Sequence, residues 1–407
     1  LSSAASDVYK RQLYLSALSS QRLIDGLYQQ NKVDPGFAVQ KFNRLLVSGL
    51  IENLVEVTVL SAPPVGRHNS SKVLWHRLRE TEKEITYSYL NFINFSGLRQ
   101  ICLVVEAFFK TLFWSIGKKK TESAVVCDVL NASICVAAIM ACKITGIQSL
   151  GVMTDMPGLM VRFEREQRLP WRTRIATGII KWCLNNFKKY VFLTEAMNVV
   201  NERKRPYIVM EGMSDRFMAT YKRPFEAKDI KVVMYAGGLH ERYGLKKLTE
   251  AFMMLPQENF RLKLFGSGPF VEKLKTKYTK KDSRIQYMGV APNAEVVAAE
   301  LDASLLVNPR PTHEEFTKYS FPSKNIEYMA SGTPLLTTKL PGMPKEYYPY
   351  VFLIENESVE GYAKALESVL AQSDEELYVF GEKAKDFVIE KKNSFEQAKR
   401  VIELIKL

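Results

Sequence analysis

A short segment near residue 325 has the residue types and spacing that bind a nucleoside diphosphate. Pro322 is favoured at the start of a helix, Ser323 and Lys324 follow it, and Gly332 ends the helical pattern. The N–H groups at a helix N-terminus attract anions, and the neighbouring hydroxyl and ammonium add to that attraction. Glu327 lies one turn further along the same face, where a carboxylate suits the two vicinal hydroxyls of a ribose. A solvated surface charge is the alternative for Glu327 alone.

Three other residues are candidates for contact with a substrate. Asp155 follows a predicted strand, and we expect its carboxylate to position or polarise an acceptor hydroxyl. The alternative for Asp155 is capping of the turn before Pro157. Gly36 and the nearby Lys41 are predicted to bind the same acceptor, and Lys41 is predicted to contact a phosphate of it.

The basic charge of the chain is confined to its first half. The 407 residues contain 57 Lys and Arg against 44 Asp and Glu, a net charge of +13. Residues 1–225 contain 31 basic and 18 acidic residues, whereas residues 226–407 contain 26 of each. The charge favours an anionic partner for the first half, either acidic lipid headgroups, a lipid pyrophosphate or nucleic acid, although a merely soluble basic surface is the alternative. Dispersed basic residues without interleaved aromatics disfavour nucleic acid.

The cysteines and acidic residues predict no metal and no disulfide. The five cysteines form no C-x-x-C pair and have no histidine cluster near them, so we expect buried thiols in a reducing cytosol. There is no D-x-D triplet to hold a divalent cation. The sequence predicts no cofactor other than a co-substrate.

One apolar segment has two possible placements. Residues 101–117 contain two charged residues and precede three lysines at 118–120, and the segment is too short and too charged to span a bilayer. It fits an interfacial helix that inserts Phe108, Phe109, Phe113 and Trp114 at an anionic leaflet. A core helix with a basic end is equally consistent with this pattern.

The elements that would position these residues alternate between strands and helices. Continuous apolar runs indicate strands buried on both faces, and hence parallel sheets covered by helices. In the first half, the predicted strands are 13–18, 55–60, 125–130, 149–154, 190–194 and 207–210. In the second half they are 231–235, 261–265, 285–288, 303–307, 334–338 and 351–354.

These patterns predict two doubly wound α/β domains with a ligand in the cleft that their strand ends face. We place a leader that is not native at 1–12, a first domain at 13–222 and a second domain, which contains the segment near residue 325, at 223–390. An amphipathic helix at 391–407 is expected to pack back towards the first domain. The leader has no apolar core of the kind found in a signal peptide.

The segment 320–338, SFPSKNIEYMASGTPLLTT, resembles the nucleotide-sugar signature of retaining GT-B glycosyltransferases of family 4, in the branch that builds bacterial surface polysaccharides. Neighbouring pieces agree with this resemblance, which spans about residues 13–405 and is more specific in the second domain. It implies a GT-B fold, with an acceptor-binding domain at 13–222 and a nucleotide-sugar-binding domain at 223–390. The donor contacts that it implies are Gly237, Gly238, Gly266, Ser267, Gly268 and Gly289. It also implies that the loop at Gly36 covers the donor from the first domain.

Two departures from the family pattern affect the site. The family commonly has Glu at both ends of an E-x7-E pattern, whereas Tyr319 stands here at the first end and Glu327 at the second. Either Glu314 or Glu315 of the same loop supplies the first carboxylate, or this chain lacks a carboxylate in that role. The first donor loop also lacks the usual Arg and Lys, and we infer that Arg242, Lys324 and Arg310 neutralise the diphosphate instead.

The resemblance implies a hexosyltransferase that moves a sugar, with retention, from a nucleoside-diphosphate sugar to a glycan or lipid-linked hydroxyl in capsule or exopolysaccharide synthesis. Asp155, Arg242 and Lys324 are the predicted catalytic residues, and Ser323, Glu327, Arg310 and Tyr319 complete the donor site. We expect the protein in the cytoplasm, peripherally at the inner membrane face. The alternatives are a catalytically silent GT-B scaffold and a nucleotide-sugar epimerase. A nicotinamide-dependent dehydrogenase is disfavoured because the first strand is not followed by G-x-G-x-x-G.

Overall fold

The computed structural model describes residues 11–31, 35–67, 69–76, 79–156, 171–223 and 225–407. The chain divides into two compact units, each described below by itself. The N-terminal unit comprises Leu1–Glu211 and Ser394–Leu407, and the C-terminal unit comprises Gly212–Asn393. The first division therefore precedes the predicted boundary at residue 222, and the last segment begins at 394 rather than 391.

The N-terminal unit is built on an eight-stranded sheet in the order β10-β9-β8-β7-β1-β2-β5-β4. All neighbouring pairs are parallel except β4 and β5. Strands β3 and β6 form a separate antiparallel pair. The strands are β1 Arg11–Ser16, β2 Glu56–Ser61, β3 Leu74–Trp75, β4 Arg79–Glu82, β5 Ile85–Tyr89, β6 Phe92–Ile93, β7 Ser123–Asp128, β8 Gln148–Met153, β9 Lys189–Phe192 and β10 Tyr207–Val209.

Two predictions for this unit need correction. The first strand begins at Arg11, so Arg11 and Gln12 belong to the sheet and not to the leader. Residues 1–10 of the predicted leader lie outside the described residues. Strands β3 to β6 were not predicted. Strands β3 and β6 have two residues each, and β4, RETE, contains no apolar residue. Strand β5, ITYSY, alternates apolar and polar residues and is not a continuous apolar run.

In the described part of residues 1–211, five helices accompany this sheet, and their apolar faces pack with it into the core. They are α1 Gln21–Asn31, α2 Phe37–Glu52, α3 Leu98–Ser115, α4 Ala132–Thr145 and α5 Trp171–Leu184. Helix α4 contacts β1, β7, β8, α3 and α5. It is almost wholly apolar because it is covered on several sides, with Ile134, Ala138 and Ala141 buried.

Helix α3 has one buried face and one exposed apolar face. Leu103, Ala107, Thr111 and Ser115 are buried on one face. A stripe of four residues at helical spacing remains exposed on another face, namely Ile101, Val105, Phe109 and Phe113. Phe108 and Trp114 are half-buried. Among the described residues, no helix is both long and apolar enough to cross a membrane.

The C-terminal unit contains a six-stranded, wholly parallel sheet in the order β13-β12-β11-β14-β15-β16. The strands are β11 Lys231–Ala236, β12 Phe260–Phe265, β13 Ile285–Gly289, β14 Leu305–Asn308, β15 Leu335–Thr338 and β16 Phe352–Ile354. Each overlaps a predicted strand. Counted within the unit, the order is 3-2-1-4-5-6, the order of the dinucleotide-binding α/β fold.

The helices of this unit are α6 Leu245–Met253, α7 at 270–281, α8 Asn293–Asp302, α9 Ser323–Ser331, α10 Val359–Leu370 and α11 Asp374–Lys391. Helix α7 includes a π-helical turn, Leu274–Tyr278. Helix α11 was not predicted, although Ser373 and Glu376 form a capping box at its start. Two hydrophobic cores lie in this unit, and β11, β14 and β15 contribute to both.

The last helix, α12 Ser394–Lys406, packs in the N-terminal unit against α2. Asn53 Nδ2 donates a hydrogen bond to the Phe395 carbonyl at 2.9 Å, and Lys189 Nζ donates to the Ile405 carbonyl at 2.8 Å. Gly49 is buried where the two helices meet. The expected return of the C-terminal helix to the first domain is therefore observed.

Replacing Gly49 with alanine is expected to destabilise the N-terminal unit, because the new Cβ would lie 2.1 Å from the Ser394 carbonyl oxygen. We expect a loss of about 1–3 kcal/mol, typical of overpacking, measured as a lower midpoint in thermal unfolding. Gly26→Ala is the matched control, because a Cβ on Gly26 in α1 meets nothing within 4 Å. An unchanged midpoint for Gly49→Ala would show that α2 and α12 do not pack this closely.

Candidate donor site in the C-terminal unit

The predicted donor residues gather where the strand order of the C-terminal sheet reverses. Strands β11 and β14 are neighbours, and the chain leaves them in opposite directions along the sheet. Ligands of open α/β sheets bind beyond the carboxyl ends of such a strand pair. The loops that follow these two strands are 237–244 and 309–322.

The glycine loops after β11 and β12 touch each other through their backbones. Leu239 N donates to the Ser267 carbonyl at 2.8 Å. A Cβ on Gly266 would lie 1.9 Å from the Gly237 oxygen, and a Cβ on Gly268 would lie 2.4 Å from the Leu239 oxygen. Both positions also have positive φ, so only glycine fits them without displacement.

The other predicted loop residues complete the same surface. Gly266 N donates to the Gly289 carbonyl at 2.7 Å, which joins the loop after β13 to the first two. Gly238 and Ser267 are exposed on these loops. The structure therefore brings together the loop residues that the resemblance implied, and the edge they form is made of backbone groups and small side chains.

Helix α9 begins at this edge with its N-terminal groups uncapped. Among the described residues, no side chain caps the helix at Pro322, and Ser323 is exposed. The first N–H groups of a helix have no partner within the helix, so they are available to an anion. Asn325 is held from behind by Asn308, whose Nδ2 donates to Asn325 Oδ1 at 2.5 Å.

Lys324 and Glu327 form an ion pair on this helix, with 2.9 Å between Nζ and Oε2. Their side chains are 35% and 22% exposed, so both can still reach a ligand. Burial lowers the pKa of the Lys324 ammonium, but the Glu327 and Glu300 carboxylates raise that pKa by more, and the net shift is upward. Lys324 is therefore a stable cation at neutral pH.

Two arginines flank the ring of Tyr243 beside the helix. The Arg310 guanidinium lies 4.8 Å from the ring centre, and the Arg242 guanidinium lies 5.5 Å from it. Arg242 also lies 5.8 Å from the ring of Phe316, and its buried Nε has no hydrogen-bond partner among the described residues. Aromatic rings hold these cations in place without neutralising their charge.

The positive charges of Arg310 and Lys324 both act on the buried phenol of Tyr235. Burial raises the pKa of this phenol to about 12, while the charges of Arg310 and Lys324 lower it. Tyr235 donates to the Gly238 carbonyl at 3.0 Å, so it lies directly under the first glycine loop. The loop thus faces a region of positive charge, which can neutralise a bound diphosphate.

The position of the expected first carboxylate is occupied by a half-buried tyrosine, Tyr319. Glu314 is half-buried, with Oε1 4.0 Å from His313 Nε2, and Glu315 is exposed. Sequence reasoning missed Glu357, which follows β16 and accepts hydrogen bonds from Thr312 N at 3.1 Å. Glu357 therefore stabilises the loop that carries His313, Glu314 and Glu315.

The remaining predicted residues lie in the N-terminal unit. Gly36, with φ of 87°, precedes α2, and Lys41 is half-buried in that helix. Asp155 follows β8, and its Oδ1 accepts from Met156 N at 2.7 Å, the local contact expected of a turn cap. Burial raises the pKa of this carboxyl. Residues 157–170, with the rest of its loop and most of the charged run 164–174, lie outside the described residues.

A buried polar network at the centre of the N-terminal sheet was not predicted. Asp128, at the end of β7, is fully buried and accepts hydrogen bonds from Leu130 N at 3.0 Å and Asn131 Nδ2 at 3.3 Å. Asn43 of α2 lies 3.5 Å from it and accepts a hydrogen bond from the Tyr14 hydroxyl. The signal available in the sequence was a carboxylate that directly ends an apolar run, where burial without partners is costly.

The described residues contain no cluster of three or more His, Cys, Asp or Glu that could hold a metal. All five cysteines have free thiols, and four of them are buried.

Comparison with known proteins identifies the fold. Residues 219–406 match the sequence family described as glycosyl transferases group 1. Sucrose-phosphate synthase from Thermosynechococcus elongatus is similar at 15% identity and a TM-score of 0.64, covering 97% of this chain and 98% of that chain. The lipopolysaccharide outer core galactosyltransferase WaaB, in its apo form, is similar at 13% identity and a TM-score of 0.61, covering 98% of this chain and 100% of that chain.

A third structure, Anabaena HepE in complex with UDP and glucose, is similar at 12% identity and a TM-score of 0.55, covering 97% of this chain and 98% of that chain. No curated protein matches the chain in sequence. The fold is the GT-B fold of glycosyltransferases, and the match to the group 1 family lies within residues 219–406.

The buried carboxyl of Asp128 is expected to make stability depend on pH. Burial raises its pKa from 3.8 to about 6, although hydrogen bonds oppose the shift. The folded state therefore holds this proton more tightly than the unfolded state, and its contribution to stability falls by up to about 3 kcal/mol as pH rises from about 4 to above 6. Asp128→Asn should remove this fall.

Thermal unfolding between pH 4 and pH 7 measures the effect. The exposed Asp25→Asn on α1 is the control and should keep the wild-type pH dependence. If Asp128→Asn loses stability with pH as steeply as the wild type, the carboxyl is already ionised at pH 4 in the folded protein.

Proposed function

We propose that this protein is a glycosyltransferase that binds a nucleoside-diphosphate sugar in its C-terminal unit and an acceptor hydroxyl in its N-terminal unit. The observation that carries this proposal is the Lys324–Glu327 pair on the first turns of α9, at the reversal of the sheet order. A cation and a carboxylate one turn apart match the diphosphate and the ribose hydroxyls of a nucleoside diphosphate.

Donor binding exchanges the contacts of this pair. The diphosphate lies at the uncapped N-terminus of α9 and takes over Lys324, while Glu327 accepts hydrogen bonds from the ribose hydroxyls. The exchange costs little, because each charged group leaves one charge-assisted contact for another. The small residues of the glycine loops let the backbone approach the donor closely.

Arg242 and Arg310 replace the cations that the family usually carries in its first donor loop. Their guanidinium groups lie against Tyr243, without a carboxylate partner among the described residues. Developing negative charge on the departing diphosphate is stabilised best by cations that are already in place and need no reorganisation.

The transfer proceeds with retention by front-face attack. The acceptor oxygen forms its bond to the anomeric carbon on the face from which the diphosphate departs, and the carbon–oxygen bond to that diphosphate breaks. The acceptor proton passes to the leaving phosphate oxygen, so no strong protein base is needed. Asp155 positions or polarises the acceptor hydroxyl, the loop at Gly36 covers the donor and Lys41 contacts an acceptor phosphate. No metal is required.

The acceptor is a glycan or a lipid-linked sugar in bacterial surface-polysaccharide synthesis, reached at the inner face of the membrane. The basic first half of the chain supports this proposal, since residues 1–225 carry the whole net charge of +13. The exposed rings of Phe109 and Phe113 on α3 are the surface for peripheral membrane contact. The likeness to WaaB, named as a lipopolysaccharide galactosyltransferase, agrees with it.

A second candidate is a catalytically silent scaffold with this fold. Tyr319 at the place of the first carboxylate favours it. Weak nucleotide binding without sugar turnover would identify a scaffold, and product formed from the donor alone would identify an epimerase.

Calorimetric titration with UDP, GDP and NAD tests the donor site. We expect one nucleoside diphosphate to bind and NAD not to bind. Glu327→Ala should weaken that affinity about 10- to 100-fold, the effect of losing hydrogen bonds to a charged group. Glu346→Ala is the matched control, because Glu346 also pairs with a lysine of this unit, Lys392, at 2.6 Å. Absence of binding by the folded wild type would refute the donor site.

Lys324→Ala tests the electrostatic part of the mechanism. Loss of this cation should lower sugar transfer from the donor by at least about 100-fold, as for loss of a preorganised charge-stabilising donor. The readout is release of nucleoside diphosphate with an acceptor extract present, compared with Glu346→Ala. Near-normal turnover would assign the charge stabilisation to Arg242 and Arg310 alone.

A further inference from the structure

A large apolar groove lies on the N-terminal unit between α3, α4 and α5. Its volume is about 960 Å³, at the upper end of the range for small-molecule sites. The side chains that line its length are Ile101, Val105, Met140, Ile175, Ile179 and Trp182. Ile101 is 61% exposed and Ile175 is 53% exposed, so apolar surface that would normally be covered faces solvent.

A second, basic cavity of about 470 Å³ adjoins one end of this groove. It lies between the loop after β2 and the start of α3, and Arg67 and Arg99 are among its lining residues. The loop is held in shape by Asn69, whose Nδ2 donates to the Pro64 carbonyl at 2.8 Å, and by Asn94, whose Nδ2 donates to the Lys72 carbonyl at 3.2 Å. Both asparagines are buried. Hydrogen bonds of buried side chains therefore fix the loop that forms one wall of the cavity.

Arg99 and Gln100 line both cavities, so the apolar groove and the basic cavity are continuous. No carboxylate is among the described residues that line either one. Arg99 donates to the Pro63 carbonyl at 3.2 Å, and its buried Nε has no partner in the described part of the chain. Arg67 donates to the Ser71 carbonyl at 3.0 Å and lies 5.3 Å from the ring centre of Phe95, with no carboxylate partner among the described residues. Two guanidinium groups without a counter-charge favour an anionic ligand.

We propose that this continuous site binds one molecule of a phosphate-headed lipid, with its hydrocarbon chain in the groove and its phosphate at Arg67 and Arg99. This deepens the proposed function, on which it rests, because it makes the lipid carrier of the acceptor a ligand of the N-terminal unit. Charge complementarity selects the occupant, since a neutral lipid leaves both arginines unpaired and a free phosphate leaves the groove empty.

The concave shape distinguishes this site from a membrane-contact surface. Phe109 and Phe113 continue the apolar stripe of α3 but do not line the groove. Insertion into a bilayer would use these outward-facing rings, whereas a single chain would use Val105 and Ile179. The two interactions can therefore be separated by substitutions on the same helix and its neighbour.

Titration calorimetry with n-octyl phosphate, below the concentration at which it forms micelles, tests the proposal on the full chain. We expect saturable binding, with an affinity that rises about fourfold per added methylene in n-nonyl and n-decyl phosphate. Octyl glucoside has the chain without the charge, and inorganic phosphate has the charge without the chain. Each of these should bind at least about tenfold more weakly than n-octyl phosphate.

Substitutions in the groove and at the arginines test separately where the hydrocarbon chain and the phosphate of the ligand bind. Ile179→Asp should abolish the dependence on chain length, while Arg67→Gln combined with Arg99→Gln should lower the affinity of n-octyl phosphate to that of octyl glucoside. Phe113→Asp is the control for the groove, and the exposed Arg22→Gln on α1 is the control for the charge. Both controls should bind n-octyl phosphate as the wild type does.

Three outcomes would overturn the proposal. The first is equal affinity for octyl glucoside and n-octyl phosphate. The second is loss of binding in Phe113→Asp but not in Ile179→Asp, which would place the hydrocarbon chain on the outward-facing rings of α3 and not in the groove. The third is absence of saturable binding. UDP and GDP titrations on the same samples separate this test from the donor site, since Ile179→Asp should bind nucleotide normally. Nucleotide binding without octyl phosphate binding leaves the proposed function standing and removes only the lipid site.

Discussion

Backbone contact between loops is the constraint on which the donor site depends. A Cβ at Gly244 would lie 1.8 Å from the Pro309 oxygen, and Gly266 and Gly268 make similarly close contacts with the loop after β11. These contacts bring the loops after β11, β12 and β14 to one edge of the sheet. The loops that carry Arg242 and Arg310, and the loop that leads into α9 with Lys324 and Glu327, therefore lie at the same edge without intervening side chains.

The charged groups of this edge are held by different physical means. Lys324 has a carboxylate partner within the same helix, whereas Arg242 and Arg310 are held by an aromatic ring. A ring orients a guanidinium without competing for its hydrogen-bond donors, and several of those donors stay available. An anion that binds Lys324 therefore has to displace the Glu327 carboxylate, whereas an anion that binds Arg242 or Arg310 displaces no carboxylate of the described residues.

Strand positions in the C-terminal unit were predictable because its strands are either apolar runs or, as in β12 (FRLKLF), alternate apolar and charged residues, and because helices and turn residues separate them. The same pattern placed Ser323, Lys324 and Glu327 on one helix from spacing alone. Contacts over long sequence distances were not accessible in this way. Glu357 reaches Thr312 across 45 residues, and Asn43 reaches Asp128 across 85, and no local pattern encodes such pairs. Strand β4 was also not predictable, because RETE contains no apolar residues that could form a run or alternate with polar ones.

The return of α12 to the N-terminal unit has a consequence for the order of folding. Residues 1–211 are synthesised first, yet the face of α2 at Gly49 and the Lys189 ammonium find their partners only in residues 394–406. The intervening residues 212–393 form a unit with its own cores and can fold while the first unit still lacks its last helix. During synthesis the apolar surface that α12 covers is therefore exposed for the whole time needed to translate the C-terminal unit. At about 5–20 residues per second this interval is on the order of 10 to 40 seconds, in which that surface is open to chaperones or to misassociation.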